Sequence, residues 1–196
     1  MLDFEEHLTD ARRVIVAFSA TPHRFEWGRT LRELGASHLL LRDSTEWAYS
    51  RGINGVGDRD DIVRYLKAFA QDGCRVTTLG ASTGAYGALL YGQLAGIDQV
   101  IAISPLTGRD TDDFDPKYHA QLIDPHHPIP DLRQFFWEEG PVPRVRAFIS
   151  DGDGCELDQQ MAERIGVKEI TLVPGYAHGD LARGMLDQGM FAELFQ

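Results

Sequence analysis

The sequence has little cysteine, fewer basic than acidic residues, and no long hydrophobic run. Its two cysteines, Cys74 and Cys155, lie far apart, one at the start of a predicted strand and the other just after one. Two isolated cysteines form neither a metal-ligand spacing nor a disulfide framework. We therefore expect reduced thiols that take no part in function.

Charge and hydropathy exclude two further classes of protein. The formal net charge is -11 at pH 7, whereas binding nucleic acid or an anionic membrane requires a basic surface. No stretch is long and apolar enough to span a bilayer, and the first residues are acidic where a signal peptide would be basic and then apolar. We expect a cytoplasmic protein that binds neither nucleic acid nor membrane. Its oligomeric state stays open.

Apolar runs alternate with helical segments along the 196 residues. The predicted strands are residues 14–19, 38–41, 74–79, 100–103, 145–149 and 169–173. This alternation predicts an α/β fold, a doubly wound and mostly parallel six-stranded sheet with helices on both faces. The commonest strand order for such a sheet is 2-1-3-4-5-6. We predict a single domain over residues 1–196, whose polar N-terminal segment forms a short helix.

Two long connections interrupt the alternation of strands and helices. Residues 106–144 are rich in proline, aspartate and histidine, with a short helical signal at residues 131–138. We interpret them as a lid-like surface excursion between strands. The loop 44–57 contains Trp47 and Tyr49, which we predict to line a substrate pocket. The alternative is that these aromatic residues pin the loop to the protein body.

The third predicted strand runs into Gly80-Ala81-Ser82-Thr83-Gly84, and a helical pattern follows. A sharp strand-to-helix turn projects its central side chain above the sheet, and the flanking positions favour glycine because larger side chains would collide with the helix or a neighbouring strand. This pattern is typical of a nucleophile elbow with Ser82 as nucleophile. The alternative is a glycine-rich turn in which the serine only caps the helix.

A serine nucleophile needs a base, and the base needs an orienting acid, each at the same edge of the sheet. His178 follows the sixth strand between two glycines and is predicted to be the base. For the acid we prefer Asp153 after the fifth strand, with Asp151 as the alternative, and we assign Asp158 to the start of the next helix. The Asp-x-Asp-Gly string is not a calcium loop, because Cys155 stands where an oxygen ligand is needed. We predict no metal site.

An oxyanion hole completes such a site. One donor is expected to be the backbone N–H of Thr83, directly after the nucleophile, and the other that of Ala20, in the loop leaving the first strand. Each such donor is typically worth roughly 100- to 1,000-fold in rate.

The chain resembles the alpha/beta-hydrolase superfamily in three features, which occur in the order Ser, Asp, His: the elbow, an aspartate after the fifth strand and a histidine after the sixth. The resemblance covers almost the whole chain. The segments 42–47 and 103–107 also resemble small bacterial serine hydrolases of unassigned substrate. One departure is the absence of the common His-Gly pair after the first strand, where this chain has Phe18-Ser19-Ala20.

The resemblance implies a serine hydrolase that cleaves a small-molecule ester or thioester through an acyl-enzyme, with no cofactor. Two further hypotheses belong to different functional classes. One is a flavodoxin-like module in which Ser19 and Thr21 contact a nucleotide or phosphate, and the second is an interaction protein with an inactive hydrolase fold.

Overall fold

A seven-stranded mixed sheet forms the centre of the computed structural model, which describes residues 2–9, 12–45, 48–108, 129–136, 143–152 and 155–195. The strands are β1 (Phe4–His7), β2 (Arg13–Phe18), β3 (Ser37–Leu41), β4 (Arg75–Ala81), β5 (Gln99–Ile103), β6 (Arg144–Ser150) and β7 (Glu169–Val173). Their order is β1-β3-β2-β4-β5-β6-β7. The six predicted strands are therefore present in the predicted order, and one strand was missed.

The missed strand is β1, which lies in the polar N-terminal segment that was predicted to form a short helix. It pairs antiparallel with β3, from Phe4 opposite Leu41 to His7 opposite His38, whereas every other pairing in the sheet is parallel. Only Phe4 of this four-residue strand is even partly buried. A short edge strand with so little buried surface has no apolar alternation, so its sequence does not distinguish it from a polar helix.

Helices cover both faces of the sheet. They are α1 (Gly28–Glu33), α2 (Arg59–Gln71), α3 (Thr83–Ala95), α4 (Arg133–Phe136), α5 (Glu156–Glu163), α6 (Leu181–Asp187) and α7 (Phe191–Leu194). Alternate residues of β2 point to opposite faces: Val14, Val16 and Phe18 pack in one apolar cluster, and Ile15 and Ala17 in the other. Among the described residues, no helix combines the length and the apolar composition that a membrane span requires.

A buried ion pair joins the N-terminal segment to the end of β3. The Arg42 guanidinium donates to Asp3 Oδ1 at 2.9 Å, and both side chains are almost fully buried, at 9% and 2% exposed. Arg42 also donates to the carbonyl oxygen of His23 at 3.3 Å. This one side chain therefore connects Asp3, the residue before β1, to the loop that follows β2.

Replacing Arg42 with methionine is expected to lower the free energy of unfolding by about 3–5 kcal/mol, because it leaves the Asp3 carboxylate buried without its cation. Urea denaturation measures the change. Arg29→Met is the matched control, because its ion pair with Glu33 lies in solvent and should contribute almost nothing. Equal midpoints for the two variants would contradict the structural importance of the buried pair.

His38 makes folding stability depend on pH. Burial lowers the pKa of its imidazole from the usual 6.5, and the nearby His7 and Arg32 lower the pKa further. The hydrogen bond to the Ala36 carbonyl oxygen acts in the opposite direction and raises the pKa, but by less than burial lowers it. The unfolded chain thus binds this proton more readily than the folded one. The stability contributed by neutral His38 is complete above pH 6.5 and is lost as the pH falls through the lowered pKa of the folded state.

We expect His38→Asn to remove part of this pH dependence, since asparagine does not titrate and its amide can donate to the same carbonyl. Unfolding free energies of wild type and variant, measured between about pH 5 and pH 8 on either side of the ordinary histidine pKa, test this. The wild-type curve should fall more steeply toward low pH. Parallel curves would show that His38 is not the group responsible.

Candidate active site

The turn between β4 and α3 has the strained geometry of a nucleophile elbow. Ser82 has φ 51° and ψ −120°, a region that non-glycine residues rarely adopt, and its side chain does not cap the helix. A Cβ at Gly80 would lie 2.1 Å from the carbonyl oxygen of Gly84, and a Cβ at Gly84 would lie 2.3 Å from that of Phe18. Both positions therefore require glycine, and the capping alternative does not describe this serine.

His178 lies within hydrogen-bond distance of Ser82. Its Nε2 is 3.0 Å from Ser82 Oγ, and its Nδ1 is 2.8 Å from both carboxylate oxygens of Asp158. An ionised carboxylate only accepts hydrogen bonds, so Nδ1 carries the proton that Asp158 accepts. In the neutral imidazole, Nε2 then carries a lone pair facing the serine hydroxyl. The His178 side chain is 22% exposed and that of Asp158 is 5% exposed, so solvent reaches the base more than the acid.

The carboxylate that contacts His178 is not the one preferred from the sequence. Asp153 lies outside the described residues. The alternative, Asp151, accepts a hydrogen bond from the backbone N–H of Gly175 at 2.9 Å. Asp158 lies in the first turn of α5, as predicted from the sequence, but its side chain points to His178. The sequence placed Asp158 correctly at the start of the helix but did not identify it as the carboxylate that contacts His178.

The spacing of the buried residues in α5 is a sequence signal that could have identified Asp158. Its buried residues are Asp158, Met161 and Ala162, so the aspartate shares a helix face with apolar residues three and four positions later. A carboxylate on the buried face of a helix needs a partner. Position after the fifth strand, which favoured Asp153, is a weaker guide because a helical turn brings later residues back toward the sheet.

The loops after β6 and β7 are hydrogen-bonded to each other. The Ser150 hydroxyl donates to the carbonyl oxygen of Tyr176 and accepts from the backbone N–H groups of Gly152 and Tyr176, both at 3.2 Å. A Cβ at Gly152 would lie 2.3 Å from the Tyr176 carbonyl oxygen. These contacts fix the backbone two residues before His178, so the position of the imidazole is set by the end of the neighbouring strand.

The two predicted oxyanion donors differ in whether their backbone N–H is already hydrogen-bonded. Within the described part of the chain, the backbone N–H of Thr83 has no hydrogen-bond acceptor. The backbone N–H of Ala20 instead donates to Glu26 Oε2 at 2.6 Å, so in this conformation it is already engaged. The Thr83 hydroxyl donates to the Ala20 carbonyl oxygen at 2.8 Å, which holds the loop beside the start of α3.

Tyr49 does not line a pocket, contrary to the sequence prediction. Its side chain is 1% exposed, and its hydroxyl donates to the carbonyl oxygens of Ser19 and Leu41 at 2.6 and 3.2 Å. The ring packs edge-on against Phe18, with centroids 5.1 Å apart. Tyr49 thus pins the loop to the protein body, which was the second interpretation of the sequence. The remaining predicted pocket residue, Trp47, lies outside the described residues.

Part of the predicted excursion packs on the elbow helix. The Tyr86 hydroxyl in α3 donates to the Pro130 carbonyl oxygen at 2.6 Å, and the Leu132 N–H donates to the Thr107 carbonyl oxygen at 2.8 Å. The helical signal at residues 131–138 corresponds to the short helix α4. Residues 109–128 and 137–142 of the excursion lie outside the described residues.

A cavity of about 620 Å³ lies at the opposite edge of the sheet. Its lining comes from the start of β6, the start of β7 and the residues just after α5, including Val145, Ile165 and Val167. Ser82 and His178 follow the carboxyl ends of their strands, so this cavity is separate from the site they form. No group of side chains suited to a metal ion occurs among the residues that the structure describes. Cys74 and Cys155 are not disulfide-bonded.

Several proteins of known structure have a fold similar to that of this chain. A capsule O-acetyltransferase of Neisseria meningitidis serogroup A, solved in complex with CoA, superposes with a TM-score of 0.68 at 15% sequence identity, over 98% of this chain and 91% of that chain. A lipase-esterase related protein of Clostridium acetobutylicum superposes with a TM-score of 0.62 at 14% identity, and both chains are covered completely, at 100%. The chain has the α/β-hydrolase fold.

A third protein with the α/β-hydrolase fold is a fluorophosphonate-binding serine hydrolase of Staphylococcus aureus. It superposes with a TM-score of 0.57 at 14% identity, over 92% of this chain and 83% of that chain. No protein-family model matches the sequence, and no curated protein matches it. The comparisons therefore establish the architecture, and any role of individual residues must be argued from the geometry of this chain.

Proposed function

We propose that the protein is a serine hydrolase that cleaves a small-molecule ester or thioester. The observation that carries the proposal is the unbroken hydrogen-bond chain from Ser82 Oγ through the His178 imidazole to Asp158, with distances of 3.0 and 2.8 Å. In the proposal Ser82 is the nucleophile, His178 the general base and acid, and Asp158 the orienting acid. The strained turn at Ser82 and the α/β-hydrolase fold support it.

The proposed reaction begins with proton transfer from Ser82 Oγ to His178 Nε2 as the oxygen attacks the carbonyl carbon. The tetrahedral intermediate carries a negative charge on the former carbonyl oxygen, which the Thr83 N–H would stabilise. His178 then returns the proton to the departing alcohol or thiol, leaving an acyl-enzyme. Water activated by the same histidine releases the acid and restores Ser82. Asp158 remains ionised throughout and stabilises the transient imidazolium.

The proposed mechanism needs no cofactor. The start of α3 contributes unpaired backbone N–H groups and the positive end of the helix dipole beside Ser82. A carboxylic ester or thioester requires only modest protonation of its leaving group, which a single histidine can supply. These features of the site favour an acyl ester or thioester substrate.

Acyl transfer to an acceptor other than water is a second candidate, favoured by the similarity to the capsule O-acetyltransferase. Both reactions proceed through the same acyl-enzyme and differ only in the nucleophile that removes the acyl group. Supplying hydroxyl acceptors during ester turnover separates them, since transfer converts part of the acyl group into a new ester. Formation of free acid alone, at every acceptor concentration, favours hydrolysis.

A phosphate-binding module and an inactive interaction protein have less support. A phosphate-binding role for Ser19 and Thr21 is disfavoured because the Glu26 carboxylate lies in the same loop, against the Ala20 N–H, and would repel an anion. An inactive interaction protein would not need to retain the strained Ser82 together with its histidine and carboxylate partners.

A fluorophosphonate probe tests the proposal directly. Ser82 Oγ should attack phosphorus, forming an O–P bond as fluoride leaves, and mass spectrometry should locate the adduct on the peptide that contains Ser82. The same preparation should hydrolyse members of a panel of short and long acyl esters and thioesters. Absence of both labelling and turnover in folded protein would overturn the proposed function.

A further inference from the structure

The loop between β2 and α1 is closed on itself by two hydrogen bonds at Glu26. The backbone N–H of Glu26 donates to Ser19 Oγ at 2.9 Å, and the Glu26 carboxylate accepts from the Ala20 N–H at 2.6 Å. Ser19 is 3% exposed and the Glu26 side chain is 20% exposed. The carboxylate is thus held in a mostly enclosed position on one backbone N–H.

This N–H lies beside the proposed nucleophile. The Ala20 carbonyl oxygen accepts from the hydroxyl of Thr83, the residue directly after Ser82, at 2.8 Å. Gly84, one residue further, approaches the Phe18 carbonyl group so closely that a Cβ there would overlap it. The loop leaving β2 is therefore seated against the first turn of α3, where the second donor of an oxyanion hole belongs.

We propose that Glu26 gates the oxyanion hole: in the closed conformation its carboxylate occupies the Ala20 N–H, and it must leave before a substrate's carbonyl oxygen can bind there. The inference rests on the proposed function. One N–H makes one strong, charge-assisted hydrogen bond, so the carboxylate and the developing oxyanion compete for it. Two negative charges placed on the same donor also repel each other.

The loop has a second partner for the carboxylate when it leaves. Glu26 Oε1 is 3.6 Å from a terminal nitrogen of Arg24, whose side chain is 74% exposed. A rotation of the carboxylate away from Ala20 and toward Arg24 would keep the negative charge paired and move it toward solvent. Opening the gate therefore does not require an unpaired buried charge.

The closed loop also contains unfavourable features outside Glu26. Thr21 Oγ1 and Trp27 Nε1 are buried and have no hydrogen-bond partner in the described part of the chain. Trp27 has φ 68°, in the left-handed region that non-glycine residues avoid. The loop that holds Glu26 therefore keeps two buried polar atoms without a partner in the described part of the chain and one strained backbone position.

The gate predicts that removing the carboxylate speeds acylation. Glu26→Ala should raise kcat/KM and the rate of fluorophosphonate labelling by about tenfold to 100-fold, since one oxyanion donor is worth at least that much. Glu26→Gln keeps an oxygen acceptor without the charge and should give a smaller increase. Glu33→Ala is the matched control, because Glu33 lies exposed at the end of α1, paired with Arg29, and should leave both rates unchanged.

A second measurement uses the wild-type chain and does not depend on how the variants fold. In NMR spectra of ¹⁵N-labelled protein, the Ala20 amide proton, bonded to a carboxylate, should resonate downfield. It should shift when Ser82 is phosphonylated, because a phosphonyl oxygen then replaces the carboxylate. An Ala20 signal that stays in place while the Thr83 signal moves would overturn the gate.

The outcomes separate the gate from the function on which it rests. If Glu26→Ala labels at Ser82 at the wild-type rate or more slowly, the gate is wrong and the proposed function stands. If neither folded wild type nor Glu26→Ala labels or turns over any ester, the proposed function fails and the gate fails with it. Introducing Ser82→Ala into Glu26→Ala should abolish the gain, and retention of the gain would also overturn the gate.

Discussion

Ser82→Ala is expected to lower kcat toward acyl esters by about a millionfold, the loss measured when a triad nucleophile is removed. The hydroxyl is the only atom of Ser82 that lies within reach of His178 Nε2, at 3.0 Å. Without it the histidine has no nucleophile to activate, and the oxyanion donor acts only on direct attack by water. Initial rates on the most reactive ester of the panel provide the measurement.

Ser104→Ala is the matched control for this experiment. Ser104 lies at the carboxyl end of β5, next to the elbow strand, and its hydroxyl is buried without a hydrogen-bond partner among the described residues. It has a positive φ, 43°, like Ser82, but within the described part of the chain no base lies within hydrogen-bond distance of its hydroxyl. Its replacement should retain most of the activity. Equal turnover by wild type and Ser82→Ala would contradict the serine mechanism.

Asp158→Asn is expected to lower kcat by about 10⁴-fold while leaving the fold intact, the effect seen when the orienting carboxylate of a triad becomes an amide. An asparagine can donate to Nδ1, and this stabilises the tautomer that carries its proton on Nε2. That tautomer cannot accept the serine proton. The substitution also removes the charge that stabilises the imidazolium. Steady-state kinetics on the ester panel measure the loss.

Two neighbouring carboxylates serve as comparisons. Asp151 accepts a hydrogen bond from the Gly175 backbone N–H and does not contact His178, so Asp151→Asn should cost no more than a few-fold in kcat. Asp153→Asn belongs in the same experiment, because the sequence pointed to Asp153 first. A large loss in Asp153→Asn with little loss in Asp158→Asn would restore the sequence-based choice and contradict the role that we propose for Asp158.

The elbow and the sheet could be predicted because both depend on local pattern. Gly80 and Gly84 flank Ser82 at the end of a β-branched run, and the structure gives each glycine a backbone contact that excludes a side chain. The apolar runs were long enough to identify each parallel strand. Right-handed crossovers leave few topologies, and the predicted order is the commonest of them. Strand β1 was missed because its single partly buried residue leaves no pattern.

The sequence identified some residues of the candidate site and misplaced or missed others. Ser82 and His178 were placed by motif and by position after a strand, and the structure brings them within hydrogen-bond distance. Tyr49 was misplaced because an aromatic residue in a loop can face a pocket or the core, and its two carbonyl acceptors come from distant strand ends. The contact between Glu26 and Ala20, six positions apart, depends on how the loop between β2 and α1 folds back on itself, and this has no sequence signature.

The alternation of the six parallel strands with helices, the sharp turn at Ser82 and the histidine after the last strand follow from the amino-acid sequence alone, because each depends on residues that are neighbours in the chain. Three-dimensional packing determines which carboxylate contacts His178. It also determines whether the Ala20 N–H can bind an oxyanion. Asp158 and His178 are separated by 20 residues. Their contact depends on how α5 and the turn after β7 pack at one edge of the sheet, and no local pattern records that packing.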